Sequence, residues 1–428
     1  VATFPLSVSA NGRYLQDATG TPFFLHGDTC WSIEVQLTNA EIDTYLANRA
    51  AKGVNAILFE AIEHRFSSQT PEYENVDGDQ PFTSMTDFAS SLVSAYWNRV
   101  DYIVNQALSY GMVCIMNPAY VGFSGGSEGW MSEINAESDA DLQTYGATLA
   151  TRYTQGNVIW CLGGDYNGTV GERNKQWNIV TGIRSVRTTD LITAHSDSSD
   201  GAYAFWNGYT GFNFNNAYPG TAEVAAACLA EYARSGPMPF IMLEALYEQE
   251  RSPVISAAGL RRQSYQALLS GACGQFFGNN PIWHFEAPTA PFTWTGTWQT
   301  ELDSTGSVQQ QYVKSLFISK EWWKLVPKSD ASLVSSALSS GDTKVCPALA
   351  SDNSFGMVWI PTSQTVTVVM SNFPSTVTAR LYDPTNGTYS TVGTFSNVGS
   401  QNIASGGERV LLLETSSGQQ PLRSQVLL

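Results

Sequence analysis

The sequence has no apolar run approaching the roughly 18–20 residues that a membrane-spanning helix needs, so a membrane is not an expected partner. Basic residues are scarce: 22 Lys and Arg stand against 38 Asp and Glu, a net charge of −16. Polyanion-binding proteins invert that balance, which argues against nucleic acid as a partner and against an anionic lipid surface. Histidine is rarer still, with four in the chain and no His-x-His. No Cys-x-x-Cys or Cys/His cluster occurs, so neither a structural zinc site nor a barrel metallohydrolase is supported, and no metal or other cofactor is expected. No nucleophile elbow, phosphate loop or dinucleotide fingerprint stands out.

What is present is periodicity. The chain has 428 residues and 43 % hydrophobic content, enough to bury a sizeable core. From 22 to about 327, short apolar runs alternate with helical patterns. Eight runs read as strands: 22–27, 54–60, 112–116, 157–164, 191–196, 211–216, 239–244 and 274–279. The first helix opens on a Thr38–Glu41 capping box and stops at Gly53. The second carries Val100, Ile103, Val104, Ala107 and Leu108 on one stripe, and others cover roughly 139–153, 172–188, 221–235, 254–271 and 307–325. The connection 197–210 shows no clear helix. Strand–helix alternation implies an α/β fold with parallel strands, and eight units close naturally into a (β/α)8 TIM barrel. A doubly wound sheet is the alternative; it would bring a Gly-rich phosphate loop after its first strand, and 26–31 is not one.

Past Pro327 the pattern changes to alternating segments at 355–361, 365–370, 378–384 and 408–414, separated by turn signals such as Asn386-Gly387. The expected division is a catalytic barrel over 1–327 and a small C-terminal all-β sandwich over 328–428 that buttresses it, ending in a short tail. Charged residues make up only 14 %, the chain opens at Val1 without a signal peptide, and two sequons occur at Asn167 and Asn386. These features fit a secreted, extracellular glycoprotein, expected to be a monomer. Six scattered cysteines (Cys30, Cys114, Cys161, Cys228, Cys273, Cys346) allow one or two disulfides.

Active sites of such barrels lie at the C-terminal ends of the strands. Polar and aromatic groups gather there: Asp28 and Trp31; Glu60, Glu63 and His64; Asn117 and Tyr120; Asp165 and Asn167; Asn213, Asn215 and Asn216; Glu244, Tyr247 and Glu248; Asn279, Asn280 and Trp283. Two facing carboxylates with aromatic platforms and amide partners suit glycoside hydrolysis. One acid protonates the leaving oxygen, and the other attacks the anomeric carbon or activates water. Ends of the fourth and seventh strands face each other across the mouth, which singles out Asp165 and Glu244. Each position also has a structural reading. Asp165 could cap a Gly turn, Asp28 could brace the loop around Trp31, and Glu60 and Glu63 could be solvated rim charges. Trp283 could be core, and His195 and His284 read as satisfied structural groups.

In these same motifs the chain resembles the apiosidase-like glycoside hydrolases, a (β/α)8 catalytic domain followed by a small β domain that carries a collagen-binding label. The resemblance runs from about Gly12 to Glu414 through RYLQDATGTPFFLHGDTCW, NVIWCLGGDYN, IMLEALYE, GACGQFFGNNPIW, EWWKLVP and FGMVWIP, in that order. It implies a retaining exo-glycosidase that removes a terminal apiosyl residue from a pectin side chain, rhamnogalacturonan II. It assigns Asp165 the acid/base role and Glu244 the nucleophile role. Asp28, Trp31, Glu60, Asn117, Asn167, Asn216, Tyr247, Asn280 and Trp283 are expected to bind substrate. The chain departs from the family pattern at Tyr166, at Met242-Leu243-Glu244 and over 215–220. Another furanoside or an endo-acting specificity on the same scaffold is the nearest alternative, and a non-catalytic carbohydrate-binding protein is the alternative of another class.

Overall fold

Burial of both sheet faces explains why the barrel strands read as near-continuous apolar runs rather than alternating ones. A computed structural model describes residues 2–198, 200–220, 223–251 and 253–415. Its barrel strands are β1 (Leu25–Thr29), β2 (Ala56–Glu60), β3 (Val113–Asn117), β4 (Val158–Gly163), β5 (Ile192–His195), β6 (Asn215–Tyr218), β7 (Phe240–Met242) and β8 (Gly274–Phe277), and every residue in them is buried. Neighbours pair in parallel from β5 back to β1, then through β8 and β7 to β6. The β5–β6 seam has no regular ladder. The Phe214 N–H donates to the Ile192 carbonyl at 3.1 Å, and the Asn216 amide reaches Thr193 Oγ1 and the Ala194 carbonyl. Two residues, Asp200–Gly201, pair antiparallel with β6 where β5 would otherwise continue.

Among the described residues seven long helices cover the outside: α1 (Asn39–Ala51), α2 (Ser94–Ser109), α3 (Asp139–Arg152), α4 (Val170–Val186), α5 (Val224–Tyr232), α6 (Ala257–Leu269) and α7 (Thr305–Ile318). The Thr38–Glu41 capping box is formed. A four-residue helix, Tyr203–Trp206, occupies the connection that shows no helical period.

Three expectations need correction. The sixth strand lies later than 211–216, because Phe212 and Phe214 turn into the core while Asn213 accepts the Ile192 N–H. The first run splits: Pro22–Phe23 joins a small antiparallel sheet with Ser7–Val8 and Leu15–Gln16, and the barrel strand begins at Leu25. All six cysteines are buried free thiols, so no disulfide forms among them; they sit within packed elements where burial raises their pKa.

The C-terminal domain contains β9 (Leu325–Pro327), β10 (Cys346–Ala350), β11 (Phe355–Ile360), β12 (Thr365–Val369), β13 (Val377–Asp383), β14 (Thr388–Phe395), β15 (Ser400–Ala404) and β16 (Arg409–Thr415). A six-stranded antiparallel sheet ordered β9-β10-β11-β16-β13-β14 faces the β12–β15 pair across Val358, Ile360, Val366, Val368, Ile403 and Leu411. Residues 325–327 therefore pair within this sheet. The tail from 416 onward lies outside the described residues. Against the barrel, Tyr265 of α6 stacks on Trp359 with centroids 4.7 Å apart, and Arg261 pairs with Glu408 at 2.6 Å. Lys320 pairs with buried Glu414.

Candidate active site

The chain leaves β4 through Gly163, Gly164 and Asp165, all with positive φ (80°, 138° and 42°). A side chain at Gly163 would run into the His195 carbonyl, and one at Gly164 into the Tyr120 ring, so this turn demands glycine twice. It also holds a non-glycine residue in the left-handed region, a conformation that persists only when its surroundings enforce it. Two contacts do so. The Asn117 amide donates to the Gly163 carbonyl at 2.9 Å, and the Tyr120 hydroxyl donates to Asp165 Oδ2 at 3.1 Å.

His195, the last residue of β5, lies between the two candidate carboxylates. Its Nε2 is 2.8 Å from Glu244 Oε2, while the backbone N–H of Asp165 points at its Nδ1 from 3.1 Å. A backbone N–H needs a lone pair to meet, so the network assigns the proton to Nε2, which donates to Glu244. The sequence reads His195 as a satisfied structural group; it is satisfied, but by the two candidate residues themselves. Burial acts to lower its pKa, but the hydrogen bond and charge of Glu244, with Asp165 behind, outweigh burial and raise it. For Asp165, burial and then the Glu244 charge push the carboxyl up to about 7, against the lowering pull of His195 and Tyr120. A carboxylic acid that keeps its proton near neutrality can serve as a general acid.

One ligand atom from each of Asp165, His195 and Glu244 can be chosen such that all lie within 4.8 Å of one another. One oxygen of each carboxyl thus lies within 4.8 Å of the other, nearer the roughly 5–5.5 Å spacing of retaining glycosidases than the 6.5–9.5 Å of inverting ones. The same trio has the donor chemistry of a metal site. Both imidazole nitrogens, however, are engaged in hydrogen bonds, and a metal would have to break one of them.

Asp165 and Glu244 open into a cavity of about 420 Å³. Of the residues expected at the site, Trp31, Glu60, Asp165, Glu244, Tyr247 and Trp283 line it. The Trp31 indole donates to the Tyr247 hydroxyl at 3.1 Å. Glu60 and Glu63 are buried rather than solvated, and burial, then Glu63 and Glu34, hold the Glu60 carboxyl well above its usual range.

Five expected binders do not reach the cavity, and each is consumed by the scaffold. Asp28 sits inside β1 facing α1, where it accepts from Arg49 Nε at 2.6 Å and the Tyr45 hydroxyl at 2.9 Å. Asn117 holds the glycine turn. Asn167 bridges Asp200 and the Asp197 N–H, so its sequon nitrogen is already a hydrogen-bond donor. Asn216 closes the seam, and Asn280 donates to the Thr293 carbonyl at 2.8 Å.

Besides His195, sequence reasoning missed Tyr218 and Glu250, which line the cavity at the end of β6 and beyond β7. Burial, then the Glu244 charge, raises Glu250 to about 8. His195 and Tyr218 each end a strand, so the rule that found Asp165 reaches them too. A Gly-x-Ser-x-Gly string does exist at 122–126, but Ser124 sits in a three-residue 3-10 turn rather than a strand-to-helix elbow.

Residues 9–324 match the family profile described as "Apiosidase-like, catalytic domain", and residues 326–413 match "Putative collagen-binding domain of a collagenase". No curated protein matches the sequence at a significant level. Among solved structures, one titled a glycoside hydrolase superposes with a TM-score of 0.85 at 22 % identity, covering 98 % of this chain and 100 % of its own. A glycoside hydrolase family 5 protein from Bacteroides vulgatus gives the same score and identity over 97 % and 96 %. A family 5 mannosidase from Rhizomucor miehei superposes at 0.51 with 11 % identity over 74 % and 98 %. At these identities the likeness establishes the TIM-barrel fold, while the profile covering most of the chain establishes kinship: the chain belongs to the apiosidase-like family of glycoside hydrolases.

Proposed function

We propose that the protein is a secreted, retaining exo-glycosidase that removes a terminal sugar from a polysaccharide side chain, with Asp165 as acid/base and Glu244 as nucleophile. The observation that carries the reading is the close approach of these two carboxyls at one cavity, with His195 hydrogen-bonded to the Glu244 carboxylate and to the Asp165 backbone N–H. In the first step a Glu244 oxygen attacks the anomeric carbon. The glycosidic C–O bond breaks, and Asp165 gives its proton to the leaving oxygen. In the second step water attacks the glycosyl-enzyme, Asp165 takes the water proton, and Glu244 departs. His195, donating to Glu244 Oε2, holds that carboxylate for attack.

The cavity volume favours one or two sugar units over a long bound chain, which supports exo action. An apiosyl residue of pectin is the sugar that the family relationship favours. The test is product release from a panel of plant and microbial polysaccharides, wild type beside Glu244→Gln. Release of a single monosaccharide by wild type alone is expected. Oligosaccharide products would mean endo action on this scaffold, and binding without release would leave a carbohydrate-binding protein.

A further inference from the structure

The outer helix ring of the barrel is thin at one place. Between β5 and β6 the described chain forms only the four-residue helix Tyr203–Trp206, whereas α1 to α7 have nine residues or more. A helix that short leaves one flank of α4 uncovered. Along that flank lies an open hollow of about 950 Å³, which shares no lining residue with the catalytic cavity. We propose that this hollow is a second carbohydrate site, which holds a neutral stretch of the polysaccharide while a terminal sugar is cleaved at Asp165 and Glu244. The choice of ligand rests on the glycosidase reading above.

One wall is a face of α4, where Asn174, Trp177, Asn178, Thr181 and Arg184 recur at helical spacing. From Asn174 to Arg184 that face runs about 15 Å, longer than a single sugar unit. The opposite wall is the 208–213 connection, which brings in Tyr209. Trp177, Trp206 and Tyr209 pack on one another with centroids 5.0, 5.4 and 5.5 Å apart, which fixes the aromatic wall. The Tyr209 hydroxyl donates to Asn174 Oδ1 at 2.9 Å, and the Gln143 amide donates to Asn178 Oδ1 at 2.8 Å, so both asparagines are held. The Trp177 indole N–H and the Asn174 side-chain N–H groups have no partner among the described residues. Fixed rings with free donors beside them are what the C–H faces and hydroxyls of a sugar require.

The charged residues in the walls are already engaged. Asp139 pairs with Lys175 at 2.9 Å, and Arg184 donates to the Arg187 and Gly211 carbonyls at 3.3 and 2.7 Å. On a protein of net charge −16, such a surface selects a neutral chain over a polyanion. Helix α4 also ties the hollow to the chemistry. Arg173, beside Asn174, donates to the Asn167 and Gly168 carbonyls at 2.8 and 2.6 Å, in the loop just after Asp165. A glycan lying along α4 toward its N-terminus therefore runs to the barrel mouth. Holding it there raises the effective concentration of its branches at the catalytic cavity.

Affinity electrophoresis tests this in native gels that contain β-1,4-galactan, α-1,5-arabinan, arabinoxylan or glucomannan, with polygalacturonate as the charged control. The Glu244→Gln protein, used to suppress turnover, is expected to be retarded by at least one neutral polymer. Adding Thr181→Arg, which puts a long side chain into the hollow, should abolish that retardation. Asn174→Ala should weaken it about fivefold, the worth of one hydrogen bond. Both side chains are exposed, so both variants should keep the parent melting temperature, which is measured alongside. In the wild-type background Thr181→Arg should lower kcat/KM on the retarding polymer and leave that on an aryl glycoside unchanged. No retardation by any neutral polymer, retardation by polygalacturonate alone, or retardation that survives Thr181→Arg overturns the proposal. Because the gels need no turnover, loss of the glycosidase reading would show separately, as absence of polysaccharide cleavage by wild type.

Discussion

Asp165 and Glu244, from the ends of β4 and β7, and Glu34, Glu60 and Glu63, from around β1 and β2, are two groups of carboxyls at one barrel mouth. Their surroundings differ. The first group is threaded by proton donors: Tyr120 on Asp165, and His195 between Asp165 and Glu244. In the second, both Glu34 oxygens lack a partner among the described residues, and Glu63 Oε1 takes the backbone N–H groups of His64 and Arg65. Burial, then Glu63, raises Glu34 well above the usual carboxylate range, as it does Glu60. Burial alone makes a carboxyl neutral; burial with a proton partner beside it suits a carboxyl to acid–base chemistry.

The sharpest way to break this contrast is to remove the charge of Glu244, the proposed nucleophile. Glu244→Gln should lower kcat/KM by on the order of 10⁴-fold or more, for aryl glycosides and natural substrate alike. Asp165→Asn should cost about 10²–10⁴-fold on natural substrate but much less on aryl glycosides with good leaving groups, which need no proton. The reverse leaving-group pattern would mean that the two roles are exchanged.

His195→Ala should cost about 10²-fold, less than either carboxylate, and should move the alkaline limb of the pH–rate profile upward. The direction follows because His195, whose own pKa is raised, pulls the Asp165 pKa down when it carries its second proton, so its loss lets Asp165 hold the proton to higher pH. In wild type that limb should fall through about pH 7, where Asp165 loses its proton. A purely structural histidine would leave the limb in place.

Glu34→Gln should change kcat/KM by less than about threefold, because an amide replaces an already neutral carboxyl. It should also sharpen the contrast in stability. A carboxyl whose folded pKa is raised contributes stability fully below its unfolded value of about 4, and loses it as pH rises through the folded value. Asp165, at about 7, and Glu250, at about 8, act in the same sense. Wild type should therefore melt at a lower temperature at pH 8.5 than at pH 5.5, and Glu34→Gln should narrow that gap. A gap of opposite sign would show that these acids are ionised in the folded protein.

Much of this was legible in the sequence. Strand ends were readable because parallel strands buried on both faces are apolar until they emerge at the mouth, where the first polar residue marks the rim. That single rule finds Glu60, Asp165 and Glu244. It fails at Asp28, because β1 starts three residues later than the apolar run and its penultimate residue faces outward to Arg49. It overcounts amides, since Asn117, Asn167, Asn216 and Asn280 satisfy backbone and side-chain groups of irregular turns, where buried polar groups must find partners. The shifted β6 has the same origin: two aromatics ahead of it obey the core and not the strand period.

The sequence by itself determined the eight-fold strand–helix alternation, the following β domain and the placement of Asp165 and Glu244 at the barrel mouth, because hydrophobic period and the ends of apolar runs are local properties of the chain. Tertiary structure alone decided that His195 connects Asp165 and Glu244, and which carboxyls are pushed toward keeping their protons. Those outcomes depend on distances and burial between residues tens of positions apart, and an ionisable group takes its charge from neighbours in space rather than in sequence.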